Sequence, residues 1–273
     1  MIQITLIQID NYGPWTVTPT PRTEPDLQAL QSRLYGDLER EFGAHGGIVF
    51  FNRFDNLIAV SNGMDYDDHK LIQDSIRNRY PITISMGVGS AETAAEAQKI
   101  ATEMIQNGGG AQSSERCEVL NIDSLVEDDD STVQIAHIDI DDITGSLTDI
   151  ETAFDTSIKV YEVLYELMVE LNKAGGLCFF IGGDNYMAPS NGISEDELRD
   201  LLKRVDEKTN VSLKAGIGRA TKAAKAADLA DIGLEDIRAK TVDDSVEVLY
   251  EKDLWMYHQN ITTIFFLLFS FLI

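Results

Sequence analysis

Two aspartates stand where a fold could bring carboxylates together: Asp139, ending the apolar run VQIAHID, and Asp184, in FFIGGDNYMAPSNG at 179–192. Asp184 lies between two apolar stretches and beside Gly182, Gly183 and Asn185, the composition of a tight β turn that needs positive φ angles. Carboxylates arriving from adjacent strands make an oxygen site for Mg²⁺, a hard cation that keeps part of its water shell. A pair of such ions can hold a triphosphate, activate water and stabilise a leaving oxygen. The flanking glycines let that backbone approach a ligand closely. The loop from Asp141 to Gly145 leads toward a helix whose N-terminal amides suit phosphate. Asp141 and Asp142 read equally as helix caps or solvated charge.

The elements that must carry these acids are written twice. At an offset of 129, GGIVFFNRFDNLIAVSNG (46–63) falls on GGLCFFIGGDNYMAPSNG (175–192) with ten of eighteen positions identical. ITISMGVGSAETAAEAQKIA (82–101) falls on VSLKAGIGRATKAAKAADLA (211–230), and ITLIQID (4–10) on VQIAHID (133–139). One offset across three blocks marks an internal duplication. Asp10 and Asp55 therefore repeat the acidic pair, as a second site or as relics of the duplication.

Each half orders a strand (2–9; 133–140), a long helix (about 25–42; about 150–173) and two strands joined at the Asp55 or Asp184 turn. A second helix (about 66–77; 194–207) and a fourth strand (82–88; 211–217) follow, the strand running through GxG into an Ala-rich helix. The order βαββαβ predicts an α+β fold of two tandem ferredoxin-like domains, each an antiparallel sheet with helices on one face. The divisions are 1–120, an acidic linker at 121–132, 133–255, and an anomalous apolar tail at 256–273. In the long helix of the second half, Ile158, Tyr161, Leu164, Met168 and Leu171 recur at helical spacing and are expected to face the core. The GxG stretches at 87–89 and 216–218 suit close strand–helix packing as well as a ligand. His137, on an apolar strand, reads as a satisfied core residue rather than a ligand.

With 22 basic and 46 acidic residues the net charge is −24, which argues against nucleic-acid binding and reads as adaptation to high salt. The two cysteines and four histidines form no zinc spacing and no disulfide framework. The N-terminus lacks a basic n-region, so a cytoplasmic protein is expected. The run ITTIFFLLFSFLI (261–273) is short of the roughly 20 apolar residues a membrane span needs; it reads as a docking segment at a subunit interface, a partial membrane anchor or, in preference, a non-native tail, and no membrane partner is expected of the rest of the chain.

HIDIDDIT followed by FFIGGDN resembles the palm-type core of nucleotidyl cyclases and GGDEF domains. The closer resemblance is to the archaeal GTP cyclohydrolase III family, carried in order by QIDNYGPWTVTPTPR, FNRFDNLIAVSNG, IRNRYPITISM, HIDIDDITGSLTDI, FFIGGDNYMAPSNG and ADLADIGLEDIRAK. It extends from residue 1 to about 250. That resemblance implies two palm-type domains in a homotetramer. It implies GTP as substrate, two Mg²⁺ ions as cofactor and a monovalent cation such as K⁺ as activator. The implied reaction opens the guanine imidazole ring, keeps the formyl group and cleaves phosphates, giving 2-amino-5-formylamino-6-(5-phosphoribosylamino)pyrimidin-4-one for riboflavin and deazaflavin synthesis. On it, Asp139 and Asp184 are the first choice for the metal pair, with the Ile140 carbonyl as a further ligand and Asp10 and Asp55 second. Asn11 to Thr16, including Tyr12 and Gly13, and Asp142, Ile143, Thr144 and Gly145 become candidate phosphate loops. Asn56 and Asn185 either offer amides to a guanine edge or close their turns. A nucleotidyl cyclase and a nucleotide-sensing module remain the competing readings, and which half holds the site stays open.

Overall fold

The computed structural model describes residues 1–127, 132–141, 152–239 and 245–250. The first half runs β1 (Ile2–Ile9), α1 (Tyr12–Val17), α2 (Glu24–Ala44), β2 (Ile48–Arg53), β3 (Asn56–Val60), α3 (Tyr66–Arg79), β4 (Ile84–Ala91), α4 (Ala94–Asn107) and β5 (Leu120–Ile122). The second runs β6 (Val133–Ile140), α5 (Ala153–Lys173), β7 (Phe179–Gly182), β8 (Asn185–Pro189), α6 (Glu195–Thr209), β9 (Leu213–Ala220), α7 (Ala223–Arg238) and β10 (Val246–Tyr250). The sheets have the same order, β2-β3-β1-β4-β5 and β7-β8-β6-β9-β10. The duplicated βαββαβ order is therefore realised in both halves.

Each sheet also gains a fifth strand that the sequence reading lacked, β5 along β4 and β10 along β9, both parallel. β5 is three residues long, too short for a strand period, and Asn121 and Ile122 fall where the linker was expected to begin. α1 likewise replaces the loop expected at Asn11 to Thr16.

The helices do not share one face. In the central strand β1, Ile7 and Ile9 pack with Leu34, Leu38 and Phe42 of α2 and Ile72 and Ile76 of α3. Ile2, Ile4 and Leu6 pack the other way, against Ala94, Ala97, Ala101 and Ile105 of α4. A strand covered on both faces reads as nearly continuous apolar sequence, as IQITLIQI does. The α4 core is shared with Val133, Ile135, Ala223, Ala226 and Leu229, so the Ala-rich helices of both halves meet in one interior. Phe50 and Phe179 stack across it with ring centroids 4.5 Å apart.

The GxG pairs exist for this packing. A Cβ on Gly87 would stand 2.1 Å from the Ala101 carbonyl oxygen, and one on Gly218 would stand 1.8 Å from that of Ala226. No side chain fits between strand and helix at such separations.

Helix α5 departs from the expected stripe. Val160, Val163, Leu167 and Leu171 are buried, whereas Ile158, Tyr161 and Met168 are exposed together with Phe154 and Tyr165. Two apolar rows run along this helix, and helical spacing alone does not say which one meets the sheet.

Candidate active site

The β7–β8 turn is built by glycine. Gly182 (φ 127°) and Gly183 (φ 62°) occupy left-handed backbone that L side chains rarely adopt, next to a register shift between Phe180 and Gly182. The turn delivers Asp184 beside Asp139, whose strand pairs with Asn185 on one side and Lys214 on the other. Burial raises the Asp184 carboxyl above its ordinary range, and the charge of Asp139 raises it further. Asp139 is 4% exposed; its Oδ2 takes Arg238 Nη2 at 3.0 Å and lies 3.6 Å from Lys214 Nζ. Its Oδ1 is buried with no hydrogen-bond partner among the described residues.

A buried carboxylate oxygen without a donor, beside a second carboxyl pushed toward protonation, suits a divalent cation: one ion would satisfy the oxygen and cancel the repulsion. Among the described residues no three His, Cys, Asp or Glu side chains gather into a metal cluster, so what those residues offer beyond the pair is backbone oxygen. Ile140, whose carbonyl the sequence suggested as a further ligand, follows Asp139 at the end of β6 and pairs in register with Leu213.

Lys214 and Arg238, which hold Asp139, also line a cleft of about 360 Å³, together with Arg199 and Lys203 and the acidic Asp141 and Asp206. Lys214 Nζ also holds Asp141 at 2.8 Å. In a chain of net charge −24 this lining carries four cations against two acids, and each cation has a carboxylate partner: Glu195 and Asp196 for Arg199, Asp200 for Lys203, Asp139 and Asp141 for Lys214, Asp139 and Glu235 for Arg238. The sequence reading named none of the four. Lys214 stands where the first half has Ser85, and Arg238 lies in ADLADIGLEDIRAK, so a comparison of the halves held a signal for Lys214.

Asn185 and His137 form a support beneath Asp184. Asn185 Nδ2 donates to Asp184 Oδ1 at 3.0 Å, and its Oδ1 meets His137 Nε2 at 2.9 Å. The other ring nitrogen of His137 meets Asp231 Oδ1 at 2.5 Å. Asn185 thus orients an acid as well as closing a turn, and His137 is a satisfied, partly buried residue.

The first half repeats the positions without the pairing. Asp10 accepts from Thr83 Oγ1 (2.9 Å), Ser85 Oγ (2.5 Å), the Glu118 amide (2.9 Å) and Arg116 Nε (3.3 Å). Arg53 and Phe54 replace the two glycines of the turn, and Asp55 pairs with Arg53 at 3.6 Å. Asp10 therefore has both oxygens bonded already, unlike Asp139. Asn11 opens α1 at φ 48°, Gly13 lies within α1, and Tyr12 takes Gln31 Nε2 on its hydroxyl and stacks with Trp15. Asn56 accepts from Gln8 Nε2 at 2.7 Å. Asp142, Ile143, Thr144 and Gly145 lie outside the described residues, as do residues 251–273 with the apolar tail. Among the described residues no helix is long and apolar enough to cross a membrane.

A family model for GTP cyclohydrolase III matches residues 1–251. A GTP cyclohydrolase III of Methanosphaera stadtmanae is 81% identical over 253 residues, covering 93% of this chain and 99% of that one. Another, from Methanocaldococcus jannaschii, is 60% identical over 254 residues, covering 93% and 94%. These relatives come from methanogens and lend the high-salt reading of the charge no support. Among solved structures, an EAL/GGDEF domain protein from M. capsulatus aligns at 12% identity and TM-score 0.37, over 44% of this chain and 86% of that one. A bacterial light-regulated adenylyl cyclase aligns at 10% identity and TM-score 0.33, over 91% and 85%. Likenesses of that size carry no functional argument.

Proposed function

The chain belongs to the GTP cyclohydrolase III family, and on that premise we propose that its second half opens the imidazole ring of GTP at the Asp139–Asp184 pair. The observation that carries this placement is the buried, partnerless Asp139 Oδ1 facing a raised Asp184, beside a cleft with four cations in its lining. Asp139, Asp184 and the Ile140 carbonyl would hold Mg²⁺, two ions in the reading adopted here; bound there, the metal supplies positive charge that lowers the pKa of water and neutralises phosphate oxygens.

The chain's own residues do the rest. Lys214 and Arg238 stand on Asp139 and can turn to phosphate oxygens when substrate enters, with Arg199 and Lys203 further along the cleft. Asn185, held by His137, keeps Asp184 aimed at Asp139. In the reaction, water adds to C8 of the guanine, the C8–N9 bond breaks, N9 takes a proton and the formyl group stays on N7. Hydrolysis of the triphosphate leaves the ribosyl monophosphate named above and releases phosphate. A monovalent cation such as K⁺ is proposed as activator. A homotetramer is the proposed assembly, supported by the exposed apolar row Phe154, Ile158, Tyr161, Tyr165 and Met168 on α5.

The test is ultraviolet absorbance and phosphate release from GTP with Mg²⁺ and KCl, with Asp184→Asn alongside. Loss of the purine spectrum with phosphate release, reduced at least about 100-fold in the variant, is expected for a group acting at the reacting centre. An unchanged purine spectrum would overturn the reading, and a cyclic product would replace it with a cyclase.

A further inference from the structure

The first half contains a cleft of about 520 Å³ on the α4 side of its sheet, remote in sequence from the acidic pair of the second half. Its origin is visible when the halves are compared at the offset of 129. In the second half, His137 and Asp231 meet against Asn185 in this position. In the first half the corresponding residues are Gln8, Thr102 and Asn56, all uncharged, and all three line the cleft.

Two donors there lack partners. Asn56 and Arg116 line the cleft and are 4% and 3% exposed, and Asn56 Nδ2 and Arg116 Nη2 have no hydrogen-bond partner among the described residues. Gln8 sets both: its amide donates to Asn56 Oδ1 at 2.7 Å, and its Oε1 accepts from Arg116 Nη1 at 2.5 Å. Each side chain therefore leaves a whole NH2 group, with two N–H donors, unused. A buried N–H without an acceptor costs about 1–3 kcal/mol, so an occupant that supplies acceptors is favoured.

The charges choose the occupant. Arg116 is held by the buried Asp10 and Arg53 lies 3.6 Å from Asp55, and this lining has two cations where the cleft of the second half has four, so it is the less suited to phosphate. The remaining lining is amide and hydroxyl, from Gln98, Thr102 and Gln106, over the apolar Leu6 and Ile105. That suits a flat, uncharged heterocycle with a ring carbonyl and a ring nitrogen as acceptors. We propose that the first half binds the base of a guanine nucleoside in this cleft, as a second site that performs no chemistry. The choice of guanine, though not the site, rests on the function proposed above.

Equilibrium dialysis of labelled guanosine against the full chain in EDTA tests it, because a nucleoside without phosphates has no purchase on the metal pair. The expected result is one guanosine per chain, weakened at least tenfold by Asn56→Ala and by Gly110→Phe, and unchanged in Asp184→Asn. Gly110 lines the cleft and a Cβ on it would meet nothing within 4 Å, so the backbone there accepts a side chain, and circular dichroism and the melting temperature of the variant check that the fold is kept. No retained guanosine, retention insensitive to Gly110→Phe, loss in Asp184→Asn, or displacement by orthophosphate would each overturn it. A chain that holds guanosine in this way yet opens no GTP ring would refute the proposed function and leave this site standing.

Discussion

Asp184→Asn should make the metal-free protein more stable while sharply reducing its response to Mg²⁺. Without metal, two carboxyls face each other, and Asp139 Oδ1 has no donor among the described residues. Two unit charges about 4 Å apart interact by about 4 kcal/mol at an effective dielectric of about 20. Asp184 is only half-buried and Arg238 offsets part of the repulsion, so about 1 kcal/mol is the expected net relief. For a chain of this length that raises Tm by about 2–4 °C in EDTA. Saturating Mg²⁺ should reverse the order: at 100 times its Kd an ion stabilises the wild type by about 2.7 kcal/mol, and the variant, lacking one carboxylate, by much less. Differential scanning calorimetry of both proteins in EDTA and in Mg²⁺ measures all four states. If the variant melts below wild type in EDTA and gains as much from Mg²⁺, the carboxyls do not repel and the metal sits elsewhere.

Other consequences follow from the same contacts. Lys214→Ala is expected to raise KM for GTP about tenfold or more, with the smaller effect on kcat, since its partners are Asp139 and Asp141 and its proposed role is charge toward the phosphates; steady-state kinetics separates the two. Gly218→Ala would put a methyl 1.8 Å from the Ala226 carbonyl oxygen, so a loss of about 3 kcal/mol should appear in urea unfolding. Glu170 on α5 bonds Lys173, Lys208 and Arg204, and those contacts lower its carboxyl to about 2. A carboxyl lowered on folding stabilises above its unfolded pKa of about 4.3 and loses that as pH falls through about 2. Glu170→Gln should therefore cost about 1 kcal/mol at pH 7, little because the partners are half-exposed, and the difference should vanish near pH 2. His69, held by Thr5 and the Asp65 carbonyl, has its pKa lowered by burial, so its stabilisation is complete above about 6.5 and declines as pH falls below that; His69→Gln should flatten the slope of stability below about pH 6.5.

Much of this molecule was legible in the chain alone, because local rules and repetition were enough. A constant offset of 129 exposed the duplication, alternating strand and helix patterns placed β1–β4 and β6–β9 within a few residues, and a Gly-Gly-Asp turn marked Asp184. The turn was readable because positive φ is a property of single residues, not of neighbours. What remained hidden depends on which surfaces meet. Helical spacing on α5 named Ile158, Tyr161 and Met168, yet Val160, Val163 and Leu167 face the sheet, since periodicity defines rows and only packing chooses among them. Ala-rich α4 and α7 crossed to the opposite face because GxG removes the side chains that would hold them away. Asp10 and Asp139 occupy the same place in the repeat; four donors close one, while the other keeps a bare oxygen beside Asp184. That difference arises from Arg116 and Ser85 on one side and Gly182 and Gly183 on the other, residues distant in sequence, so only the assembled fold decides which aspartate keeps an oxygen without a donor.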